Sequence, residues 1–317
     1  MAKSNLFKGY SRREIKRFPF CYLIIAIPVL QLLVFWVAVN FNSIILAFKD
    51  RDGAFTFQNF KDVFTALVDK DRYGFNLSET IFRSFKLWAV ANIPVFLISL
   101  MTTYVLYRKV IGHYVFRVIY MLPTIVGAVV WTTIIKFIVA NDGPIVEVLN
   151  KWGISMPYMV RRNGLFGAEE TAFPTLVWIT VLLGIGGGNV VITSAYARMP
   201  DDLYDVGKLD GIGFWHEFWA IVIPCAWPAI STVITFNLCG IFTADGNVFL
   251  YSNGTGEPKM STVGYYLYYM VYRINESGNL SDFNYPAAVG LFITCISVPV
   301  VLIGRKILDK LVDNVEL

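Results

Sequence analysis

The stretch PDDLYDVGKLDGIGFWHEFWAIVIP, residues 200–224, decides how this chain folds. Its first half is too polar to cross a bilayer, yet it stands between two long apolar segments. The Asp210-Gly211 pair divides it, because glycine permits the left-handed backbone that reverses a chain. Its second half is amphipathic and returns to the apolar region near Pro224. The pattern therefore predicts a helix-turn-helix loop fixed at both ends to membrane helices.

The composition places the rest of the chain in a membrane. Of 317 residues, 56% are hydrophobic and 16% are charged, whereas soluble domains carry about 25% charged residues. A helix needs about 20 apolar residues to cross a hydrocarbon core of about 30 Å. The expected fold is therefore all-α and polytopic, with six transmembrane helices near residues 20–48, 81–107, 114–140, 173–196, 218–242 and 285–304.

The sequence indicates one membrane domain with short flanks. We expect a cytoplasmic arm at residues 1–19, a transmembrane domain at 20–310 and a cytoplasmic tail at 311–317. The first apolar run is longer than the ~7–15 residues of a signal peptide, so we expect it to be retained as a helix. Because basic residues in short loops mark the inner side of a membrane, both termini are predicted to be cytoplasmic and the protein to reside in the cell membrane.

Motifs for energy conversion and catalysis are absent from the sequence. There is no G-x-x-x-x-G-K-[ST] loop to hold phosphates and no H-E-x-x-H metal motif, and His113 and His216 are far apart in the chain. We therefore expect no enzyme activity, no catalytic residues, no metal and no bound cofactor. The net charge of +4 does not indicate a nucleic-acid partner, because no basic patch with interleaved aromatic residues is present.

The polar loop resembles the EAA loop of binding-protein-dependent ABC importer permeases. The resemblance is carried by Pro200, Leu203, Tyr204, Asp205, Asp210, Gly211, Trp215, Phe218, Ile221 and Pro224. Residues 57–60 (FQNF) and 117–123 (RVIYMLP) extend it, so that most of the chain from about residue 18 to 308 is similar to maltose-type sugar permeases. The namesake Glu-Ala-Ala is replaced by Asp205-Val206-Gly207, which keeps the acid and loses the helix-favouring alanines.

The resemblance implies a permease subunit of an ATP-driven sugar importer, with oligosaccharides as the expected substrates. The implied partners are a second permease chain in a heterodimer, two cytoplasmic ATPase subunits that use ATP and Mg²⁺, and an extracytoplasmic solute-binding protein. The long outer loops would receive that binding protein, and the aromatic run at residues 264–272 is expected to form an interfacial belt. The residues expected to couple to the ATPase are Leu203, Tyr204, Asp205, Asp210, Gly211, Trp215, Phe218 and Pro224.

Polar residues inside the predicted spans are candidates for the sugar path, because a polar group in lipid is costly. Asn237 is the leading candidate, since its amide can bind hydroxyls beside the ring of Phe236. The remaining candidates are Thr235, Ser231, Trp131 and Thr132, followed by Asn92 and Asn189. Such side chains also join helices through hydrogen bonds, and that alternative stays open.

Three other functions stay open on the sequence alone. An ABC permease for peptides or another solute fits the same loop. A secondary transporter or channel would normally carry an ionisable relay at mid-membrane, which the predicted spans lack. A scaffold without transport activity would make the outer loops the functional part.

Overall fold

The computed structural model describes residues 18–154, 157–185, 189–199, 209, 211–244, 247–252, 258–278 and 280–311. These residues form helices joined by turns, and their only strand-like pairing is an isolated antiparallel bridge between Lys49 and Phe55. The predicted all-α fold is therefore confirmed. Of the expected arm at residues 1–19, only residues 18 and 19 are described, and of the expected tail at 311–317, only residue 311 is described.

Within those ranges we number thirteen helices. Three contain a π-helical segment and continue through it: α1 (Phe18–Gln31, Leu32–Ala38, Val39–Ala47), α3 (Leu77–Leu87, Trp88–Asn92, Ile93–Tyr107) and α10 (Phe214–Glu217, Phe218–Val222, Ile223–Cys239). The others are α2 (Gln58–Val68), α4 (His113–Ile125), α5 (Ala128–Val139), α6 (Pro144–Lys151), α7 (Tyr158–Asn163), α8 (Glu169–Gly184), α9 (Asn189–Tyr196), α11 (Val248–Ser252), α12 (Val263–Ser277) and α13 (Asn284–Leu311).

Among the described residues, five helical stretches are long and apolar enough to cross a membrane: Tyr22–Ala47, Leu77–Tyr107, Ala128–Lys151, Phe214–Cys239 and Asn284–Leu311. The third contains the turn between α5 and α6, and Glu170–Gly184 is a shorter apolar helix. The predicted span at 114–140 is divided into α4 and α5, because Val126 and Gly127 adopt extended backbone. The predicted span at 173–196 is likewise described as two helices, α8 and α9.

Prolines explain two of the π segments. Pro94 and Pro224 each stand two residues after a π segment, in α3 and α10 respectively. A proline has no N–H to donate to the carbonyl four residues earlier, so the preceding turn is free to widen. Pro224 therefore shapes α10 at the end of the predicted loop, and Asn92 is the last residue of the π segment in α3.

The two ends of the helical bundle differ. At the capped end lie α2, α6, α7, α11, α12 and the turn at residues 48–57. Of these helices, α2 and α12 pack against both α3 and α13. At the loop end lie the turn at residues 108–112 and the described part of the polar loop. We use the names capped end and loop end for these two faces.

The capped end contains the larger hydrophobic cluster. Tyr265, Tyr266 and Phe75 are fully buried there, and Tyr269 packs 5.5 Å from Phe75 between ring centres. The expectation of an interfacial aromatic belt at residues 264–272 was therefore wrong for the buried face of α12, which packs against α3 and α13. Large aromatic side chains contribute most when they are removed from solvent on all sides, and here they hold the cap together.

Candidate functional site

A buried ionic contact joins α3 to α10 at the loop end. Glu217 accepts a hydrogen bond from the Tyr104 hydroxyl at 2.6 Å, and its Oε1 lies 3.4 Å from the Arg108 guanidinium. The Glu217 side chain is 7% exposed. Burying a carboxylate is costly unless it is paired and hydrogen-bonded, and both partners come from the end of α3. The contact therefore ties the end of α3 to the first turn of α10, where the polar loop ends.

An aromatic group surrounds this contact and includes α9. The ring centre of Tyr104 lies 5.2 Å from those of Phe214 and Phe218 and 6.3 Å from that of Tyr196. Tyr104 and Tyr196 are fully buried. Because α9 precedes the polar loop and α10 follows it, both ends of the loop are packed against α3. The loop-end cluster consists of Tyr104, Arg108, Tyr196, Glu217 and Phe218.

The structure describes half of the eight predicted coupling residues. Leu203, Tyr204, Asp205 and Asp210 lie outside the described residues. Gly211 has a φ of +68°, and no atom lies within 4 Å of a Cβ built on it. The positive φ at this position therefore favours glycine, although a side chain would have room there. The role of these residues in coupling stays a prediction.

The two aromatic coupling candidates after Gly211 have different surroundings. Phe218 is buried in the loop-end cluster, whereas Trp215 is 60% exposed at the loop end. The Trp215 ring touches the bundle through an edge contact with Phe214, with ring centres 5.6 Å apart. Phe218 thus holds the end of the loop in place, whereas most of the Trp215 side chain is exposed.

A pocket of about 210 Å³ lies between α3, α8, α9 and α10 and is partly open to the surface. Its polar lining consists of Asn92, Ser99 and Asn237, beside apolar groups that include Phe96. The π segment of α3 ends at Asn92, and α8 ends on the pocket wall at Gly184. Non-helical backbone at membrane depth is tolerated where it is buried or lines a cavity, and interrupted helices mark binding sites in transporters. We call this the central pocket.

A glycine allows the helices around the central pocket to approach. A Cβ on Gly184 would lie 3.2 Å from the side chain of Val95, so a larger residue would press α8 away from α3. On the other side, the indole N–H of Trp88 donates to the Asn237 carbonyl at 2.8 Å. These contacts hold α8 and α10 against α3.

Of the six leading path candidates, only Asn237 lines the central pocket. The hydroxyls of Ser231 and Thr235 bond to carbonyls of their own helix, at Pro228 and Ser231 respectively. Phe236 is 72% exposed on the surface of α10. The structure therefore gives the hydroxyls of Ser231 and Thr235 local partners and leaves Phe236 exposed. The part of these three residues in a sugar path stays a prediction.

Trp131 and Thr132 lie on α5, away from the central pocket. The Trp131 indole N–H donates to the Pro123 carbonyl at 3.2 Å, which bridges the junction of α4 and α5. The Thr132 hydroxyl donates to the Ala128 carbonyl at 2.8 Å, and the residue is buried. The Trp131 bond supports the alternative that polar groups join helices, whereas the Thr132 bond stays within α5. Asn189 begins α9, and its side chain lies outside the described part.

Asp71 organises the capped end. Its Oδ2 accepts a hydrogen bond from the Tyr266 hydroxyl at 2.5 Å, and its Oδ1 accepts from the backbone N–H groups of Tyr73 and Phe75. The Tyr285 hydroxyl lies 3.1 Å from that of Tyr266. Burial raises the pKa of Tyr266 well above its usual value, and the nearby Asp71 carboxylate adds to that shift. Tyr266 therefore stays a proton donor.

Ion pairs join two turns of the capped end to the short turn that precedes α13. Arg51 lies 2.7 Å from the Asp282 carboxylate, and Arg72 lies 3.8 Å from the same oxygen. Arg72 also stands over the ring of Tyr285, 4.8 Å from its centre. A network of several charges holds its geometry better than an isolated surface pair. These contacts thus connect separate segments of the capped end to one another.

The sequence pattern identifies Phe218 and misses the other four members of the loop-end cluster. In the sequence, Arg108 is one basic residue in a short loop, and Tyr104 stands inside an apolar span. A usable signal was Glu217, an acid in the first turn of an apolar helix, because such a residue requires a cationic or hydrogen-bonding partner. The sequence does not reveal that this partner lies 113 residues away.

The interrupted helices, the central pocket and the anchored polar loop define a polytopic membrane protein of the transporter type. In the part of the chain that the structure describes, no group of His, Cys, Asp and Glu side chains forms a metal site. No family model matches the chain.

Individual relatives are ABC transporter permeases. The chain is 22% identical over 268 residues to a probable ABC transporter permease protein of Brucella suis biovar 1, which covers 83% of this chain and 89% of that protein. It is 24% identical over 180 residues to the lactose transport system permease protein of Rhizobium radiobacter, which covers 56% of this chain and 57% of that protein. The resemblance predicted from the sequence is therefore confirmed.

A solved structure shares the fold. It is a bacterial alginate ABC transporter in complex with an alginate pentasaccharide-bound periplasmic protein. The match has a TM-score of 0.73 and covers 97% of this chain and 98% of that one, at 17% sequence identity. This likeness shows that the chain has the fold of an ABC transporter subunit.

Proposed function

We propose that this chain is the permease subunit of an ATP-driven, binding-protein-dependent importer of sugars. In this role it forms half of the translocation path and takes its energy from separate ATPase subunits. The observation that carries the proposal is the loop-end cluster, in which Glu217, Tyr104 and Arg108 fix the end of the polar loop to α3. A loop held in this way passes the movement of a docked motor to the helices as a rigid body.

The anchored loop is connected to the central pocket through the same helices. α3 carries Tyr104 at the loop end and Asn92 in the pocket, and α10 carries Glu217 and Asn237. A displacement of the loop therefore acts on both polar walls of the pocket. This arrangement suits alternating access, in which helices move around a fixed binding site.

Sugar is the substrate class that the central pocket fits. The amides of Asn92 and Asn237 can pair with hydroxyls, and Phe96 offers an aromatic face. The volume of about 210 Å³ is below the range of about 300–1,000 Å³ for ligand pockets. We therefore assign this chain one wall of the path and a second permease chain, in a heterodimer, the other. The lactose system relative supports sugar over peptide as the substrate.

In this assignment the loop end and both termini face the cytoplasm, where two ATPase subunits bind ATP and Mg²⁺. The capped end faces outward and receives a solute-binding protein. The alginate transporter was solved with a periplasmic protein, which supports such a partner. The positions of the basic residues support the orientation.

The test is transport by the complete complex in liposomes. Uptake of labelled oligosaccharides and ATP hydrolysis are compared for wild type, Asp205→Lys and Gly211→Pro, after purification with the partner subunits. Both variants are expected to assemble, to lose uptake and to lose stimulation of ATP hydrolysis by the binding protein. Uptake without ATP would instead favour a secondary transporter, and uptake of peptides alone would favour a peptide permease.

A further inference from the structure

A second pocket, of about 330 Å³, opens at the capped end between α3 and α8. Its lining includes three cationic side chains, one carboxylate and two aromatic rings: Arg83, Lys86, Lys259, Glu170, Phe82 and Phe173. We call it the basic pocket. It is larger than the central pocket and shares the α3–α8 cleft with it.

The basic pocket lies outward of the central pocket. The stretch Leu77–Tyr107 has 31 residues, which at about 1.5 Å per residue is about 46 Å, well over a hydrocarbon core of about 30 Å. The charges of α3 lie in its first segment, Leu77–Leu87, so this segment projects from the hydrocarbon. Along α8, Phe173 precedes Gly184 by about 16 Å of helix at that rise. The two pockets are therefore successive levels of one cleft.

Contacts at the wall hold the cationic groups toward the basic pocket. Arg83 pairs with Glu79 at 3.0 Å and reaches the Ser261 hydroxyl at 3.4 Å. The Lys86 ammonium lies 5.5 Å from the centre of the Phe173 ring. A cation over an aromatic face is attracted by the ring electrons. Among the described side chains at this pocket, three cations stand against two carboxylates, those of Glu79 and Glu170.

We infer that the basic pocket admits sugars that carry a carboxylate, such as uronic acid oligomers, and favours them over neutral sugars. The inference rests on the proposed function and names the substrate class. Lys86 and Lys259 supply positive charge for the carboxylate, and Phe82 and Phe173 supply flat apolar faces for the pyranose rings. The volume lies within the range of about 300–1,000 Å³ for ligand pockets.

The basic pocket is concave and has two aromatic rings in its wall, which favours a sugar as its ligand over a carboxylate side chain of a docking protein. A protein side chain that reaches a cation at a docking surface needs no aromatic platform. A sugar ring has apolar C–H faces beside its polar edge, and both kinds of wall are present in the basic pocket.

The experiment measures binding of fluorescent trigalacturonate and of a matched neutral trisaccharide to the permease–ATPase complex in nanodiscs, without binding protein. Lys86→Gln and Lys259→Gln are each expected to weaken trigalacturonate binding about two- to fivefold, as for exposed ion pairs. Neutral trisaccharide binding should not change, and Lys86→Arg should retain wild-type affinity. The control is Lys151→Gln, which removes an exposed cation of the capped end that pairs with Glu147.

Three results overturn the inference. One is equal affinity of the wild-type complex for both probes. Another is a loss in Lys86→Gln no larger than in Lys151→Gln. The third is weaker docking of the binding protein with unchanged trigalacturonate affinity, which makes the basic pocket a protein-docking surface. In each of these cases, ATP-dependent uptake of a neutral sugar by the same preparation would still support the proposed function. If the preparation takes up no sugar at all, the proposed function itself is overturned.

Discussion

The hydroxyl of Tyr104 in α3 donates a hydrogen bond of 2.6 Å to the carboxylate of Glu217 in α10, although the two residues are 113 positions apart in the chain. One residue ends a long helix that passes the central pocket, and the other begins the helix that follows the polar loop. The bond lies in a buried cluster that also includes Tyr196, just before the loop. The loop and the pocket are therefore parts of one mechanical unit.

Removing the Tyr104 hydroxyl should loosen this unit without removing its ring. In Tyr104→Phe, Glu217 keeps Arg108 and loses its hydrogen-bond donor, at a cost of about 1–3 kcal/mol for a buried polar group. We expect a lower thermal midpoint of the complex and fewer sugars transported per ATP. The matched control is Tyr114→Phe, whose side chain is exposed. An unchanged transport-to-ATP ratio in Tyr104→Phe would show that the bond has no part in coupling.

Breaking the ion pair should cost about as much as removing the hydroxyl. Arg108→Ala leaves the buried Glu217 carboxylate without its cation, and breaking a buried pair costs about 3–5 kcal/mol. Because the Arg108 side chain is 32% exposed, solvent screening reduces the expected loss to about 1–3 kcal/mol. Arg305→Ala, which breaks the exposed pair with Asp309, should stay within about 0.5 kcal/mol.

Restoring the charge balance distinguishes pairing from simple truncation of Arg108. In the double variant Arg108→Ala/Glu217→Gln the unpaired carboxylate is gone, so we expect part of the lost stability and coupling to return. Thermal unfolding in detergent and the transport-to-ATP ratio measure both effects. Equal damage in the single and double variants would mean that packing of the arginine stem matters more than its charge.

Much of this architecture follows from the sequence, and what does not follow has identifiable causes. Apolar length predicts the spans, because a bilayer imposes a length on any helix that crosses it. It does not predict the division between α4 and α5, since Val126 and Gly127 sit inside an unbroken apolar run. The loop pattern identified Gly211, whose positive φ is a local property.

The candidate site, too, can be predicted from the sequence only in part. Asn237 lines the central pocket, as expected for an amide side chain in a membrane helix. Thr235 and Ser231 occur in the same helix, but their hydroxyls bond to its carbonyls. Only the rotation of the helix against its neighbours decides which polar groups face a cavity, and that depends on packing between distant segments.

Two glycines of the polar loop provide a matched pair for testing its backbone. Gly211 has a positive φ, whereas Gly213 has an extended backbone, and both have open space around the Cβ position. Gly211→Ala should therefore cost about 1 kcal/mol through left-handed strain, and Gly213→Ala should be neutral or slightly stabilising. Stimulation of ATP hydrolysis by the binding protein should fall only in the Gly211 variant. Equal behaviour of the two variants would remove the backbone turn from the coupling mechanism.

The central pocket predicts which polar residue of α10 contacts the sugar. Asn237→Ala removes a lining amide, so we expect uptake to require about five- to tenfold more substrate, the effect of about one hydrogen bond. Asn92→Ala, on the opposite wall, should act in the same direction. Thr235→Val should leave uptake unchanged, because that hydroxyl already donates to the Ser231 carbonyl at 2.7 Å.

The measurement is the concentration dependence of ATP-driven uptake, with ATP hydrolysis recorded in the same liposomes. A shift in half-saturation with unchanged binding-protein stimulation assigns Asn237 to the substrate and not to coupling. If Thr235→Val shifts half-saturation and Asn237→Ala does not, the path follows the other side of α10. In that case the exposed Phe236, which neighbours Thr235, becomes the aromatic surface for the sugar, and the central pocket is only a packing defect between helices.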